Sequence, residues 1–389
     1  MTREIYGGAM SGTSLDGVDV VLAAFDGADV ADGADGADGG RPDLLPKVLA
    51  HVYRPYPAAL RDAVLAVCHG QPLTLPDLGR LDQQIARVYV DTIRAAIARL
   101  APSEGDVKAI GVHGQTVYHQ PLGDTRFTMQ IGDPNHIAVH VGVPVVADFR
   151  RRDMALGGQG APLAPGFHER CFRHATIPRV VCNCGGIANI TVLQPGAATH
   201  GYDTGPANVL MDAWCVSKTG QTFDADGQWA RGGQVIDALL DTMLQEPYLR
   251  LPYPKSTGRE LFQLPWLAQQ LARSGATVPS DRDVMRTLLE FSARTIADAL
   301  GGVGTGGAGG GEMYVCGGGA MNGLFMERLV QLLPQWSVRS TAALGMAPDQ
   351  VEALAFASFA RRTVRGLPAN LPSVTGASRE CILGAIYAV

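Results

Sequence analysis

The chain has 389 residues, 46% of them hydrophobic and 18% charged, with a formal net charge of −5. A chain this long exceeds what one core usually supports and argues for two domains, while the negative balance removes the general positive field used to bind nucleic acid or an anionic membrane. No apolar run reaches the roughly 18 residues of a membrane span, and Met1-Thr-Arg-Glu4 leads directly into a strand without a signal-peptide core, so a cytoplasmic protein is expected.

The first predicted element is a short apolar strand running into Gly8-Ala-Met-Ser-Gly-Thr-Ser-Leu-Asp-Gly-Val-Asp19, with a second strand over Val18 to Phe25. Glycine lets a ligand approach the main chain, and a nest of backbone N–H groups with Ser and Thr hydroxyls suits a phosphate. Gly12, Thr13, Ser14, Leu15, Asp16, Gly17, Val18 and Asp19 are therefore candidate contacts to a nucleotide. Asp26 to Gly40 reads as an exposed acidic hairpin extension; it lacks the closing acid of a calcium loop. Leu81, Ile85, Val88, Ile93, Ile97 and Leu100 mark a long amphipathic helix. The strand Val107 to Val112 ends at His113-Gly-Gln-Thr116, and strand ends are where ligands gather in α/β folds.

Arg179 to Cys184 is the next clear strand, followed by Gly185-Gly186 and a strand from Asn189 to Leu193. Cys182 and Cys184 should share one side of it, and with no Cys-x-x-Cys pair the seven cysteines read as free thiols. Val209 to Val216 is helical, with Asn208 as N-cap and Gly220 past its end. Ser280 and Asp283 open a helix carrying Leu288, Leu289, Ile296 and Leu300, closed by Gly301. The glycine-rich Gly301 to Gly311 contains a formal G-x-G-x-x-G (Gly302, Gly304, Gly307), but it follows a helix and precedes a strand, the reverse of the dinucleotide order, and reads as a spacer. Met313 to Cys316 is a strand, then Gly317, Gly318 and Gly319, then a helix with Phe325, Leu329, Leu332 and Leu333 on one face. There the backbone can approach an adenosine and a positive helix end can face phosphate.

Alternating strands and helices define an α/β chain. The strand–glycine turn–strand unit that opens it recurs near Val181, which predicts two α/β domains, each offering a phosphate-binding hairpin to the cleft between them. The predicted boundaries are residues 1–150 with about 370–389 for the first domain and 151–369 for the second, the adenosine side. Asp203, in Gly-Tyr-Asp-Thr-Gly-Pro ahead of the helix capped by Asn208, is expected in a loop as the general base. Arg150-Arg-Arg152 is the one dense basic run, and an arginine fork matches carboxylate geometry. Glu352, at the start of an apolar helix, either closes the cleft or caps the helix.

Eight separated motifs occur in order: Met-Ser-Gly-Thr-Ser-Leu-Asp-Gly-Val-Asp (10–19), His-Gly-Gln-Thr (113–116), Gln-Ile-Gly-Asp-Pro (130–134), Ala-Asp-Phe-Arg-Arg-Arg-Asp (147–153) with Gly-Gly-Gln-Gly-Ala-Pro (157–162), Asn-Cys-Gly-Gly-Ile-Ala-Asn (183–189), Tyr-Asp-Thr-Gly-Pro-Ala-Asn (202–208), Pro-Lys-Ser-Thr-Gly-Arg-Glu (254–260) and Cys-Gly-Gly-Gly-Ala-Met-Asn (316–322). With them the chain resembles the anhydro-N-acetylmuramic acid kinases of the sugar kinase, Hsp70 and actin superfamily, from Tyr6 to about Ala388.

The resemblance implies two facing RNase H-like domains with a nucleotide cleft, and ATP and Mg2+ as cofactors. It implies Asp203 as the base, Gly12 to Asp19, Gly185, Gly186, Gly317, Gly318, Gly319 and Asn322 on ATP, and His113, Gln115, Thr116 and Arg152 on the sugar. The implied reaction opens the 1,6-anhydro bridge with water and phosphorylates O6 during cell-wall recycling, and a homodimer is the implied assembly. In the wider superfamily the first turn opens on an Asp that organises magnesium; Met10 stands there, which leaves the metal ligands open, with Asp16 and Asp19 as candidates. Two rival readings stand beside this one: a kinase of the same fold on an ordinary sugar hydroxyl, and a nucleotide-driven binding protein.

Overall fold

The structure, a computed structural model, describes residues 3–12, 15–26, 45–253, 255–258, 261–275, 279–303 and 310–389. Thr13, Ser14, most of the acidic extension and most of the glycine-rich connector therefore lie outside the described residues. The chain forms two compact units, Met1–Cys171 with Gln350–Val389 and Phe172–Asp349.

In the first unit, β1 (Glu4–Met10), β2 (Gly17–Phe25) and β3 (Lys47–Pro55) form an antiparallel meander. β4 (Val107–Val112) joins β1 in parallel. β5 (Gln115–Gln120) and β6 (Phe127–Ile131) make a separate hairpin, and β7 (Val145–Ala147) runs parallel to β4.

The second unit repeats the scheme. β8 (Arg179–Cys184), β9 (Ile187–Leu193) and β10 (His200–Pro206) form the meander, while β11 (Gly311–Cys316) and β12 (Trp336–Ser340) add in parallel. A last strand, β13 (Ala385–Tyr387), returns antiparallel to β7 in the first sheet. The orders β3-β2-β1-β4-β7 and β10-β9-β8-β11-β12 are the same path, three antiparallel strands and then two parallel ones. That path is the RNase H-like one, present twice, as the repeated glycine turns predicted.

Local chemistry explains the elements. The Leu75–Ile97 helix starts where the Thr74 hydroxyl accepts the Asp77 N–H, and it buries Leu81, Ile85, Val88 and Ile93 against β2 and β3. On the opposite face of the sheet lies the Val351–Val364 helix, packed on β1 and β4. It can approach because Gly8 and Gly111 are paired neighbours in those strands. A Cβ at either would overlap a helix carbonyl, that of Ala353 or that of Phe356.

This packing changes the expected division. Residues 151–171 and 350–369 belong with the first unit. Besides the helix on β1 and β4, the buried Asp153 carboxylate ties residues 151–171 to the segment that follows residue 369. It accepts the Gly160 N–H (2.8 Å), the Asn370 amide (2.8 Å) and the Thr375 hydroxyl (2.7 Å).

In the second unit, Cys182, Cys184, Ala188 and Ile190 face a core completed by the Val209–Thr219, Asp281–Leu300 and Gly323–Leu332 helices. Cys182 and Cys184 are indeed on one side, their sulfurs 3.5 Å apart. Ser280 caps the Asp281–Leu300 helix, and Gly220 ends the Val209–Thr219 helix in the left-handed conformation.

Candidate active site

Each unit carries a polar cluster at the ends of its strands. In the first unit the turn between β1 and β2 is short. Leu15 N–H returns to the Gly12 carbonyl (3.3 Å), and Asp16 is exposed on the turn. Gly17, Val18 and Asp19 lie in β2 itself rather than in the turn, paired with Pro55, Arg54 and Tyr53 of β3. Val18 is buried in the core, and Asp19 Oδ1 sits 3.1 Å from His51 Nε2. Of the predicted phosphate run, the described residues of the turn are thus Gly12, Leu15 and Asp16.

At the end of β4, His113 is buried, its ring against Phe356 at 5.0 Å between centroids. Arg150 Nε and Nη2 both reach His113 Nε2 (3.1 and 2.8 Å), and Arg150 Nη1 donates to the Gly160 carbonyl (2.8 Å). Burial, and then the Arg150 charge, push the His113 imidazole down to about 3, so it is neutral. Burial likewise pulls Arg150 down to about 10, against the opposing pull of Glu352 and Asp153.

Gln115 is also buried. Its Oε1 accepts the Ser11 hydroxyl (2.6 Å) and lies 3.5 Å from the Tyr56 hydroxyl. Thr116 Oγ1 accepts from the Gln130 amide (3.1 Å). The structure therefore gathers His113, Gln115 and Thr116 at one end of the sheet, with Arg150 on His113. Arg152 points elsewhere: its guanidinium donates to the Ile382 carbonyl (2.9 Å), beside a surface depression also lined by Arg379 and Cys381.

In the second unit, Gly185 and Gly186 form the turn between β8 and β9. Their carbonyls accept the main-chain N–H groups of Asn208 (3.0 Å), Ala207 (2.9 Å) and Val209 (3.0 Å). Asn208 sits at the N-cap position, but its side chain does not cap the helix. It donates instead to the carbonyls of Cys184 (3.0 Å) and Gly185 (2.9 Å), locking the turn to the helix start.

The Gly317–Gly319 turn follows β11 directly. Gly317 has φ 76°, and a Cβ there would come within 2.5 Å of Asn183 Oδ1. That oxygen is buried and has no hydrogen-bond partner among the described residues. A short 3-10 turn, Gly318–Met321, separates the glycines from the Gly323–Leu332 helix. Asn322 is the N-cap of that helix, its Oδ1 accepting the Phe325 N–H (3.1 Å). The structure thus brings Gly185, Gly317, Gly318 and Asn183 to one corner, while Asn322 serves the helix.

Asp203 is not in a loop. It lies in β10, an edge strand, opposite Asn189 of β9, which in turn pairs with Asn183 of β8. Directly paired residues share a sheet face, so Asn183, Asn189 and Asp203 form a row on the face opposite Cys182, Ile190 and the core. A register shift between Asp203 and Gly205 follows at once, as bulges often do where a strand must aim a side chain. The Asp203 N–H donates to the Lys255 carbonyl (3.2 Å), and Asp203 Oδ2 accepts the Thr257 N–H (3.0 Å). With its N–H pointing away from β9, its pair with Asn189 is the non-hydrogen-bonded kind, whose side chains stand closest.

Arg150, Ser11, Asn183 and Asn189 join these two clusters as candidate site residues that periodicity did not single out. Arg150 was hidden inside its run of three arginines. The two asparagines were visible only as members of a motif, because their alignment with Asp203 depends on register.

The chain matches the family described as anhydro-N-acetylmuramic acid kinase over residues 4–389. It is 48% identical over 385 residues to the anhydro-N-acetylmuramic acid kinase of Vibrio cholerae serotype O1, covering 99% of this chain and 98% of that one. The Vibrio parahaemolyticus kinase of the same name matches to the same extent. More distantly, it is 15% identical to a ROK family glucokinase from Streptomyces griseus in complex with glucose and AMPPNP, with a TM-score of 0.39 over 92% of this chain and 99% of that one. The fold class rests on the repeated strand order and not on that distant likeness. Fold and site define a two-unit kinase of the RNase H-like type. The chain belongs to the anhydro-N-acetylmuramic acid kinase family.

Proposed function

We propose that this kinase converts 1,6-anhydro-N-acetylmuramic acid to N-acetylmuramic acid 6-phosphate, with ATP as phosphoryl donor, in the recycling of cell-wall sugar. The observation that carries the reading is full-length membership of the family together with a carboxylate, Asp203, on a polar sheet face, its residue held by the Lys255 carbonyl, the Thr257 N–H and the Tyr248 hydroxyl.

A 1,6-anhydro sugar has no free 6-hydroxyl. Asp203 accordingly takes a proton from water as the water oxygen bonds to C1. The C1–O6 bond breaks, and O6 takes the γ-phosphoryl group while ADP leaves. Transfer of this kind needs positioning and charge stabilisation more than covalent help. His113, Gln115 and Thr116 form the sugar side, with the cation for the substrate carboxylate drawn from the Arg150–Arg152 run. Gly12, Leu15 and Asp16 form one phosphate turn, and Gly185 and Gly186 the other. Gly317 to Gly319 receive the nucleotide where the absence of a Cβ leaves backbone open beside Asn183.

Magnesium fits as a nucleotide-borne ion. Among the described residues no three His, Cys, Asp or Glu side chains cluster to hold a metal, and Mg2+ commonly keeps its waters and binds through phosphates. When bound, it neutralises phosphate charge. Asp16, exposed at the turn, is the nearer fit of the two sequence candidates, since Asp19 is engaged by His51. The enzyme works in the cytoplasm as a homodimer.

The test is incubation with ATP, magnesium and 1,6-anhydro-N-acetylmuramic acid in 18O-labelled water, followed by mass spectrometry. A phosphorylated product with one 18O is expected. Phosphorylation without label would make it a kinase of an ordinary hydroxyl, and no product would favour a binding role.

A further inference from the structure

Lys255 and Thr257 belong to a motif to which the reaction above gives no role. Their surroundings are those of a clasp. β10 is an edge strand, so its outward N–H and C=O groups need partners from outside the sheet. At Asp203 both are supplied. The N–H donates to the Lys255 carbonyl (3.2 Å), and the carbonyl accepts the Tyr248 hydroxyl (2.7 Å). Thr257 N–H then takes one oxygen of the carboxylate itself (3.0 Å).

The circuit closes through the Lys255 side chain. Its ammonium donates to the carbonyls of Leu249 (2.9 Å) and Tyr248 (3.3 Å), near the C-terminal end of the Pro247–Arg250 turn, where a cation is favoured. It also lies 4.9 Å from the centre of the Tyr248 ring. Two residues before Lys255, Tyr253 stacks on His200 (4.8 Å) and Tyr202 (5.5 Å) of β10. Both sides of the clasp are thus tied to the strand that carries the base.

We propose that Lys255 is a positioning residue for the reaction. Its ammonium pins the 255–257 backbone to the Pro247–Arg250 turn, so that the Lys255 carbonyl and the Thr257 N–H hold Asp203 in the orientation that takes the proton from the attacking water. The ammonium acts through the main-chain carbonyls it holds, and its charge is also felt by the Asp203 carboxylate. The inference rests on the reading of Asp203 as the base.

The test compares Lys255→Met, Lys255→Arg and Tyr248→Phe with Asp203→Asn. Misorienting a catalytic group by an ångström costs up to about a hundredfold. Lys255→Met should lower kcat about tenfold or more with KM for sugar and nucleotide within about twofold, Lys255→Arg should recover most of the loss, and Tyr248→Phe should lower kcat in the same direction. If Lys255→Met does not fold, Lys255→Gln decides. A wild-type kcat in Lys255→Met or, where that is unfolded, in Lys255→Gln overturns the clasp, as does a loss confined to KM. Asp203→Asn separates the two ideas. Normal turnover in that variant would sink the base assignment, whereas its inactivity beside fully active clasp variants would sink the clasp alone.

Discussion

Arg150 directs two donors, Nε and Nη2, at the single Nε2 atom of His113 (3.1 and 2.8 Å). An imidazole so placed must offer a lone pair, and protonation would set two cations together in a buried site. The pair therefore couples the fold to pH.

The sign follows from the shift. His113 titrates at about 3 in the folded protein against an ordinary value of 6.5. Its neutral form is stabilised by folding, so this contribution is complete above about pH 6.5 and is lost as pH falls toward the folded value. Between pH 7 and pH 5 the loss should be roughly 2 kcal/mol. Urea unfolding of wild type and His113→Gln at both pH values measures it; the variant should lose less by about that amount. Equal losses in the two proteins would show that His113 is not the responsible group.

Asp203→Asn keeps the shape of the side chain but cannot accept a proton from water. Turnover should fall by about a hundredfold to ten-thousandfold, while calorimetric binding of a non-hydrolysable ATP analogue stays within about twofold of wild type. Normal turnover would remove Asp203 from the chemistry.

The two arginines of the basic run are separated by their contacts. Arg150 is buried on His113, whereas Arg152 reaches the Ile382 carbonyl at the surface. Arg150→Lys should reduce kcat/KM for the sugar by about tenfold or more, the scale of a lost hydrogen bond to a charged group. Arg152→Lys should stay within about threefold. The reverse ranking, with both variants folded by circular dichroism, would make Arg152 the arginine on the substrate.

Gly8 and Gly79 predict opposite outcomes for the same substitution. A Cβ at Gly8 would overlap the Ala353 carbonyl of the packed helix, so Gly8→Ala should destabilise by about 3 kcal/mol, the cost of overpacking. Gly79 is exposed on the Leu75–Ile97 helix with nothing within 4 Å of a Cβ. Gly79→Ala should stabilise by about 0.5–1 kcal/mol. Thermal unfolding checks both, and a Gly8→Ala protein as stable as wild type would mean the helix does not rest on β1 as described.

Much of the architecture was legible because it is local. The strands at Val107–Val112 and Arg179–Cys184 are bounded by glycine and polar residues as predicted, and Ser280 and Gly220 mark helix ends through chemistry confined to one turn. The repeated glycine turn announced two similar sheets, and the order of strands bears that out. Asp203 shows where local reading stopped. Gly205 and Pro206 suggest a loop, yet the residues belong to an edge strand, because pairing with β9 on one side and the Lys255 carbonyl on the other satisfies a backbone that propensity alone would leave irregular.

The sequence by itself determined the family, the α/β class and the identity of the chemical groups: a carboxylate before a helix, a basic run and three glycine turns. Those features are carried by residue type and short spacing. Only the tertiary structure decided which of them meet. It set Arg150 rather than Arg152 on His113, aligned Asn183 and Asn189 with Asp203, and joined residues 151–171 and 350–369 to the first unit. Such outcomes depend on strand register and on helix packing between residues far apart in the chain. A shift of one residue in register would have turned Asp203 to the core face.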